Sequence, residues 1–136
     1  MEWINGSYKI STDKSLLSLD KIKEFLSKSY WANKRAEDRI EKSIENSQCY
    51  GVYCNNDQVG FARVVSDYAT MFWICDVYID DKYRGKGLGK KLIECIVNRD
   101  EYKNCIGVLA TRDAHGLYKQ FGFKDTDGKA MFKRND

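Results

Sequence analysis

Between Met71 and Ile96 the sequence passes from a long apolar run, through a basic glycine-rich loop, into an amphipathic segment. Met71–Ile79 has the composition of a strand covered on both faces. Leu88, Leu92, Cys95 and Ile96 stand at i, i+4, i+7 and i+8, which predicts an amphipathic helix near 87–98. The loop between them reads Asp80-Asp81-Lys82-Tyr83-Arg84-Gly85-Lys86-Gly87-Leu88-Gly89-Lys90-Lys91. Glycines at alternate positions let the backbone approach a ligand closely, and a helix start adds unpaired N–H groups and a positive dipole end. With Arg84, Lys86 and Lys90 beside them, these groups suit a phosphate or pyrophosphate.

The rest of the chain reads as alternating short elements. Tyr8–Ser11 alternates as a first strand, and Leu16, Leu19, Ile22, Phe25 and Leu26 follow at helical spacing behind Ser15 or Ser18 as N-cap. Ala36, Ile40 and Ile44 mark one face of a second helix. Cys49–Cys54 and Val59–Val65 form a hairpin about Asn55-Asn56-Asp57. Ile106–Ala110 is a further buried strand, and Asp113 is placed to cap a short helix carrying Ala114, Leu117, Tyr118 and Phe121 that stops at Gly122. Phe123–Lys124 and Ala130–Lys133 are expected as closing strands. The expected fold is α/β, a mixed sheet with helices on its faces.

Composition narrows the function classes. A chain of 136 residues with 43% hydrophobic residues fits one domain, 1–136, with its own core. No apolar run approaches the ~20 residues of a membrane span, and the N-terminus lacks a basic-then-apolar leader, so a cytoplasmic protein without a membrane partner is expected. A net charge of +3 is too slight a bias for a nucleic-acid binder, although the Lys82–Lys91 patch keeps that class in view. Five cysteines form an odd set with no C-x-x-C, and His115 is the lone histidine. Free thiols and no metal site are expected.

Two familiar phosphate loops fail against the letters. A Walker loop needs glycine where Arg84 stands and Ser or Thr where Lys91 stands, and a dinucleotide fingerprint starting at Gly85 needs glycine at Lys90. The pattern that fits is R-x-x-G-x-G, Arg84 to Gly89. It resembles the acetyl-CoA pyrophosphate loop of the GCN5-related N-acetyltransferase (GNAT) superfamily. Leu117-Tyr118-Lys119-Gln120-Phe121-Gly122-Phe123 is similar to that family's L-Y-x-x-x-G-F signature, preceded by Ala114. Both occur in family order with a strand between them. The run Ala110 to Tyr118 further resembles a bacterial group of small uncharacterised GNAT proteins.

The resemblance implies a mostly antiparallel central sheet with a splayed pair of parallel strands and about four helices on its faces. It implies acetyl-CoA as co-substrate, with the pantetheine arm on the backbone of Val77, Tyr78 and Ile79. The pyrophosphate then falls to the loop of Arg84, Gly85, Lys86, Gly87, Leu88 and Gly89, with Lys90 at the helix start. Thr111 stands where the family often has an asparagine that contacts the cofactor. The reaction implied is direct attack of an amine on the thioester in a ternary complex, with Tyr118 as general acid toward the thiolate. The acceptor is a small-molecule or peptide amine, and a homodimer is common in the family.

Asp76, a charge in an apolar strand, is the candidate base or cation-binding group; it could equally be a structural acceptor paired with Arg63. Trp73 and Cys75 occupy positions where many family members carry a base. Tyr30, Trp31 and Trp73 are candidates for the acceptor pocket, with Arg35 nearby. A different class, a non-catalytic acyl-CoA-binding or sensing module on the same fold, is the alternative that replacement of Tyr118 separates.

Overall fold

The computed structural model describes residues 1–135. Its strands are β1 (Glu2–Asn5), β2 (Tyr8–Ser11), β3 (Gln48–Cys54), β4 (Asp57–Ser66), β5 (Met71–Ile79) and β6 (Ile106–Val108). Its α-helices are α1 (Leu19–Ser27), α2 (Glu37–Glu45), α3 (Leu88–Val97) and α4 (His115–Lys119). The strands form one sheet in the order β1-β2-β3-β4-β5-β6, antiparallel throughout except for the parallel β5–β6 pair.

Local chemistry explains most element ends. The Ser18 side chain accepts from the Lys21 N–H and so starts α1, as the sequence allows. Asn55 and Asn56 sit at φ 49° and 72°, the left-handed pair that a tight two-residue hairpin requires and that asparagine tolerates. Asp113 does not cap α4. The Thr111 hydroxyl accepts from the Ala114 N–H at 3.0 Å instead.

Each face of the sheet carries its own apolar core. On one face Ile10, Tyr50, Val52, Ala62, Val64, Phe72 and Ile74 pack with Leu88, Leu92, Ile93 and Ile96 of α3 and with Tyr118 of α4. On the other, Cys49, Phe61 and Tyr78 pack with Ile22, Phe25 and Leu26 of α1 and with Ile40 of α2. β5, like any strand, contributes to both faces, and a bulge changes which of its residues face which side. Phe61 pairs with Tyr78 but Arg63 pairs with Cys75, so β5 spends one residue more than β4, and Asp76 takes φ 53° there. Phe72 and Ile74 face the α3 side, whereas beyond the bulge it is Val77 and Ile79 that do so and Tyr78 that faces α1.

Two expectations are corrected. Glu2–Asn5 is an edge strand paired with β2, a partner that its brief alternation did not announce. The closing strands at Phe123–Lys124 and Ala130–Lys133 do not form. A strand needs a neighbouring ladder, and β6 offers only three residues. The tail instead lays Phe132 edge-on against Trp73, with ring centroids 5.8 Å apart. Among the described residues no helix is long and apolar enough to cross a membrane.

Candidate acyl-transfer site

The parallel pairing of β5 and β6 stops at Trp73–Val108, while β5 continues to Ile79. The outer edge of β5 beyond Trp73 therefore has no strand beside it, and a cleft opens there. One end is a groove of about 630 Å³ lined by Val77, Ile79, the glycine loop and Tyr118. The other is a pocket of about 730 Å³ lined by Trp73, Cys75, Asp76 and the loop 110–114. Tyr30, Trp31, Val77, Arg112 and Tyr118 border both, so the two ends meet at Tyr118.

At the groove end, Gly85 and Gly87 have φ of 78° and 80°, and a Cβ on either would meet no atom within 4 Å. The backbone rather than crowding demands glycine here. Gly87 is also the N-cap of α3, with no side-chain cap and no acidic residue in the first turn, so the first N–H groups face the groove mouth unclaimed by a side chain. Arg84 is held by its own loop. Its Nε donates to the Ile79 carbonyl at 2.9 Å, its guanidinium pairs with Asp81 at 2.7 Å, and it lies over the Tyr78 ring. Lys90 lines the groove; Lys86 is exposed at the loop tip and does not. Leu88 is buried in the core and so presents backbone to the groove, which Tyr78, its ring stacked on Phe25, also lines.

Replacing Gly87 by alanine is expected to cost about 1 kcal/mol, because an L-residue resists that left-handed φ. Urea midpoints of the two proteins check this, and an unchanged midpoint means that the loop relaxes freely.

At the pocket end, the bulge turns the Asp76 side chain toward α1 and the α1–α2 connection. Its Oδ2 accepts from Arg35 Nη1 at 2.8 Å and from Arg63 Nε at 2.9 Å, and its Oδ1 accepts from Trp31 Nε1 at 2.9 Å. The side chain is only 2% exposed. Burial alone raises the carboxyl, but the Arg35 hydrogen bond and the two guanidinium charges outweigh it and hold the carboxyl below its usual range. The pairing with Arg63, one of the readings open from the sequence, is present; Arg35 and Trp31 extend it across the cleft.

Tyr30 bridges the cleft from the other side. Its hydroxyl accepts from the Arg112 N–H at 2.9 Å, and the Arg112 guanidinium stacks 3.8 Å from its ring centroid. Tyr30 and Trp31 also meet edge to face, so one aromatic pair ties the bulge of β5 to the loop before α4. Arg112 carries no sequence signal for this place, because its partner lies 82 residues away.

Tyr118 is buried at the junction of groove and pocket, and among the described residues nothing hydrogen-bonds its hydroxyl. Burial, with smaller contributions from Tyr30 and Asp113, pushes its phenol up to about 12. Cys75 lines the pocket with its thiol pushed up by burial, and His115 is exposed and lines neither end. Among the described residues no cluster of His, Cys, Asp or Glu could hold a metal.

The family model of the GNAT acetyltransferase domain matches residues 45–125, from the start of β3 past α4. The structure is similar to that of a Xanthomonas campestris protein assigned to the GNAT family of acetyltransferases, with 34% identity, TM-score 0.88, and 95% of this chain and 93% of that chain covered. A Gibberella zeae protein named as an acetyltransferase is 27% identical over 90% of this chain and 82% of its own length. The spermine/spermidine N(1)-acetyltransferase of Bacillus subtilis is 31% identical over 54% of this chain, which spans 57% of that relative. An open parallel strand pair, a glycine loop at the head of α3 and a buried tyrosine on α4 thus occur in a chain that belongs to the GNAT family of acetyltransferases.

Proposed function

We propose that the chain, as one domain spanning 1–136, transfers an acetyl group from acetyl-CoA to a primary amine, a small molecule in preference to a protein, by direct attack. The observation that carries this reading is the position of Tyr118, where a groove suited to a pyrophosphate-bearing ligand meets a second, aromatic pocket. Acetyl-CoA supplies an activated thioester. The N–H groups at the start of α3, the backbone of Gly85–Gly89 and Lys90 would hold its pyrophosphate. The unpaired edge of β5 at Val77–Ile79 would hold the pantetheine amides, as a strand edge holds any extended amide chain.

The chemistry then balances without a covalent enzyme intermediate. The amine nitrogen bonds to the acetyl carbon as the carbon–sulfur bond breaks. The Tyr118 hydroxyl gives its proton to the leaving sulfur, and the amine's surplus proton passes through water to restore the Tyr118 hydroxyl. A phenol raised by burial keeps its proton throughout the neutral range, so Tyr118 is in its donor form when the sulfur leaves. Cys75, whose thiol burial keeps protonated, is ill suited to a ping-pong route. Asp76, with both oxygens engaged by cationic or N–H donors, is better suited to holding the pocket together than to taking a proton. Five cysteines without a disulfide fit a cytoplasmic setting.

Calorimetric titration with acetyl-CoA, with adenosine diphosphate as control, tests the reading. Saturable binding much tighter for acetyl-CoA is expected, because the pantetheine and acetyl groups add contacts along β5. Absence of binding would reduce the glycine loop to a helix entrance.

A further inference from the structure

Charge at the acceptor end is lopsided. Arg35, Arg63, Arg112 and Arg134 line the pocket against two carboxylates, Asp76 and Asp113. Even without Arg134 the guanidiniums outnumber the carboxylates. Asp76 is also unavailable to a ligand, because Arg35, Arg63 and Trp31 occupy its two oxygens and its side chain is almost fully buried. One accessible carboxylate remains, Asp113, and it sits next to Arg112 in the chain.

Arg112 differs from the other two. Among the described residues it makes no salt bridge, its charge resting on the Tyr30 ring where groove and pocket meet. A guanidinium fixed by stacking, with its N–H edge free, is a fork for a carboxylate or phosphate. Arg35 lines the same pocket as a second guanidinium, 23% exposed at its side chain and joined to Asp76 through Nη1 alone.

Resting on the acetyl-transfer reading above, we infer that the acceptor is a small amine that carries its own anionic group, a carboxylate or a phosphate, and that Arg112 binds that group. Polyamines are the wrong class for this pocket. They carry only positive charge, and the one carboxylate positioned to receive it is offset by its neighbour. Trp73, Trp31 and Phe132 give the acceptor's carbon skeleton an apolar wall.

Matched acceptor pairs test this, each pair presenting the same amine skeleton with and without its anion: L-lysine against 1,5-diaminopentane, and phosphoethanolamine against ethanolamine, with spermidine alongside. The full chain is assayed with acetyl-CoA for released thiol and product mass. In at least one pair the anionic member is expected to lead by about tenfold or more in kcat/KM, the worth of one charge-assisted contact. The leading pair tells carboxylate from phosphate. Arg112→Gln is expected to erase that lead by raising KM for the anionic member, and Asp113→Asn to preserve it. Equal rates within both pairs, or spermidine as the best acceptor, would overturn the inference. So would failure of every anionic amine while acetyl-CoA still binds in calorimetry; loss of that binding would instead overturn the acetyl-transfer reading itself.

Discussion

Replacing Tyr118 by phenylalanine is expected to lower kcat by about 10²-fold, the usual worth of a positioned general acid. Binding of acetyl-CoA should hardly change, because the ring stays and only the hydroxyl goes. The fold should tolerate the change as well. No group among the described residues hydrogen-bonds that hydroxyl, so its loss strands no buried partner, while the ring keeps its edge-to-face contact with Phe123. Steady-state turnover measured beside an acetyl-CoA titration separates the effects. A fall in kcat with unchanged affinity is the signature of an acid acting after binding. Unchanged turnover would remove Tyr118 from the chemistry and leave water to protonate the sulfur. The raised phenol also fixes a sign: with its proton held to about 12 in the free protein, loss of activity in the mildly alkaline range points to a group other than Tyr118.

What was legible in the sequence was local. Strand, glycine loop and helix follow one another between Met71 and Val97, and glycine periodicity with apolar spacing suffices to place them. The short helix carrying Tyr118 was readable for the same reason. Pairing between distant segments was not. The Glu2–Asn5 strand depends on a β2 edge that its own letters do not describe. The Phe123–Lys124 and Ala130–Lys133 segments have strand-like letters but find no ladder, because β6 ends after three residues. The pocket was hardest to foresee. Asp76 meets Arg63 at a separation of 13 residues, Arg35 at 41 and Trp31 at 45, and only the first was weighed from the sequence. The reason is geometric: the bulge sends Cys75 and Asp76 to the same face, and no period of two predicts that.

The same network makes Asp76 the position of largest expected stability loss. Asp76→Asn keeps a residue that accepts φ 53° and keeps nearly the same volume, so strain and cavity effects stay small. It removes the charge that faces Arg35 and Arg63, whose side chains are 23% and 13% exposed. Two largely desolvated guanidiniums then face a neutral amide, and losing one member of such a buried set costs about 3 kcal/mol. For a chain of this size that is a fall in Tm of about 10 °C. The pH dependence has a definite sign. The native carboxyl lies below its unfolded value, so its contribution is complete above about pH 4 and is lost as pH falls through the native value. The variant should therefore lose most at neutral pH and converge on the parent in acid. Urea unfolding at several pH values measures this, and adding Arg35→Gln should recover part of the loss, since the two sites share one oxygen. The opposite result is equally informative: full stability with a collapsed kcat would make Asp76 the proton acceptor, and the pocket's charge would have to be read again from that point.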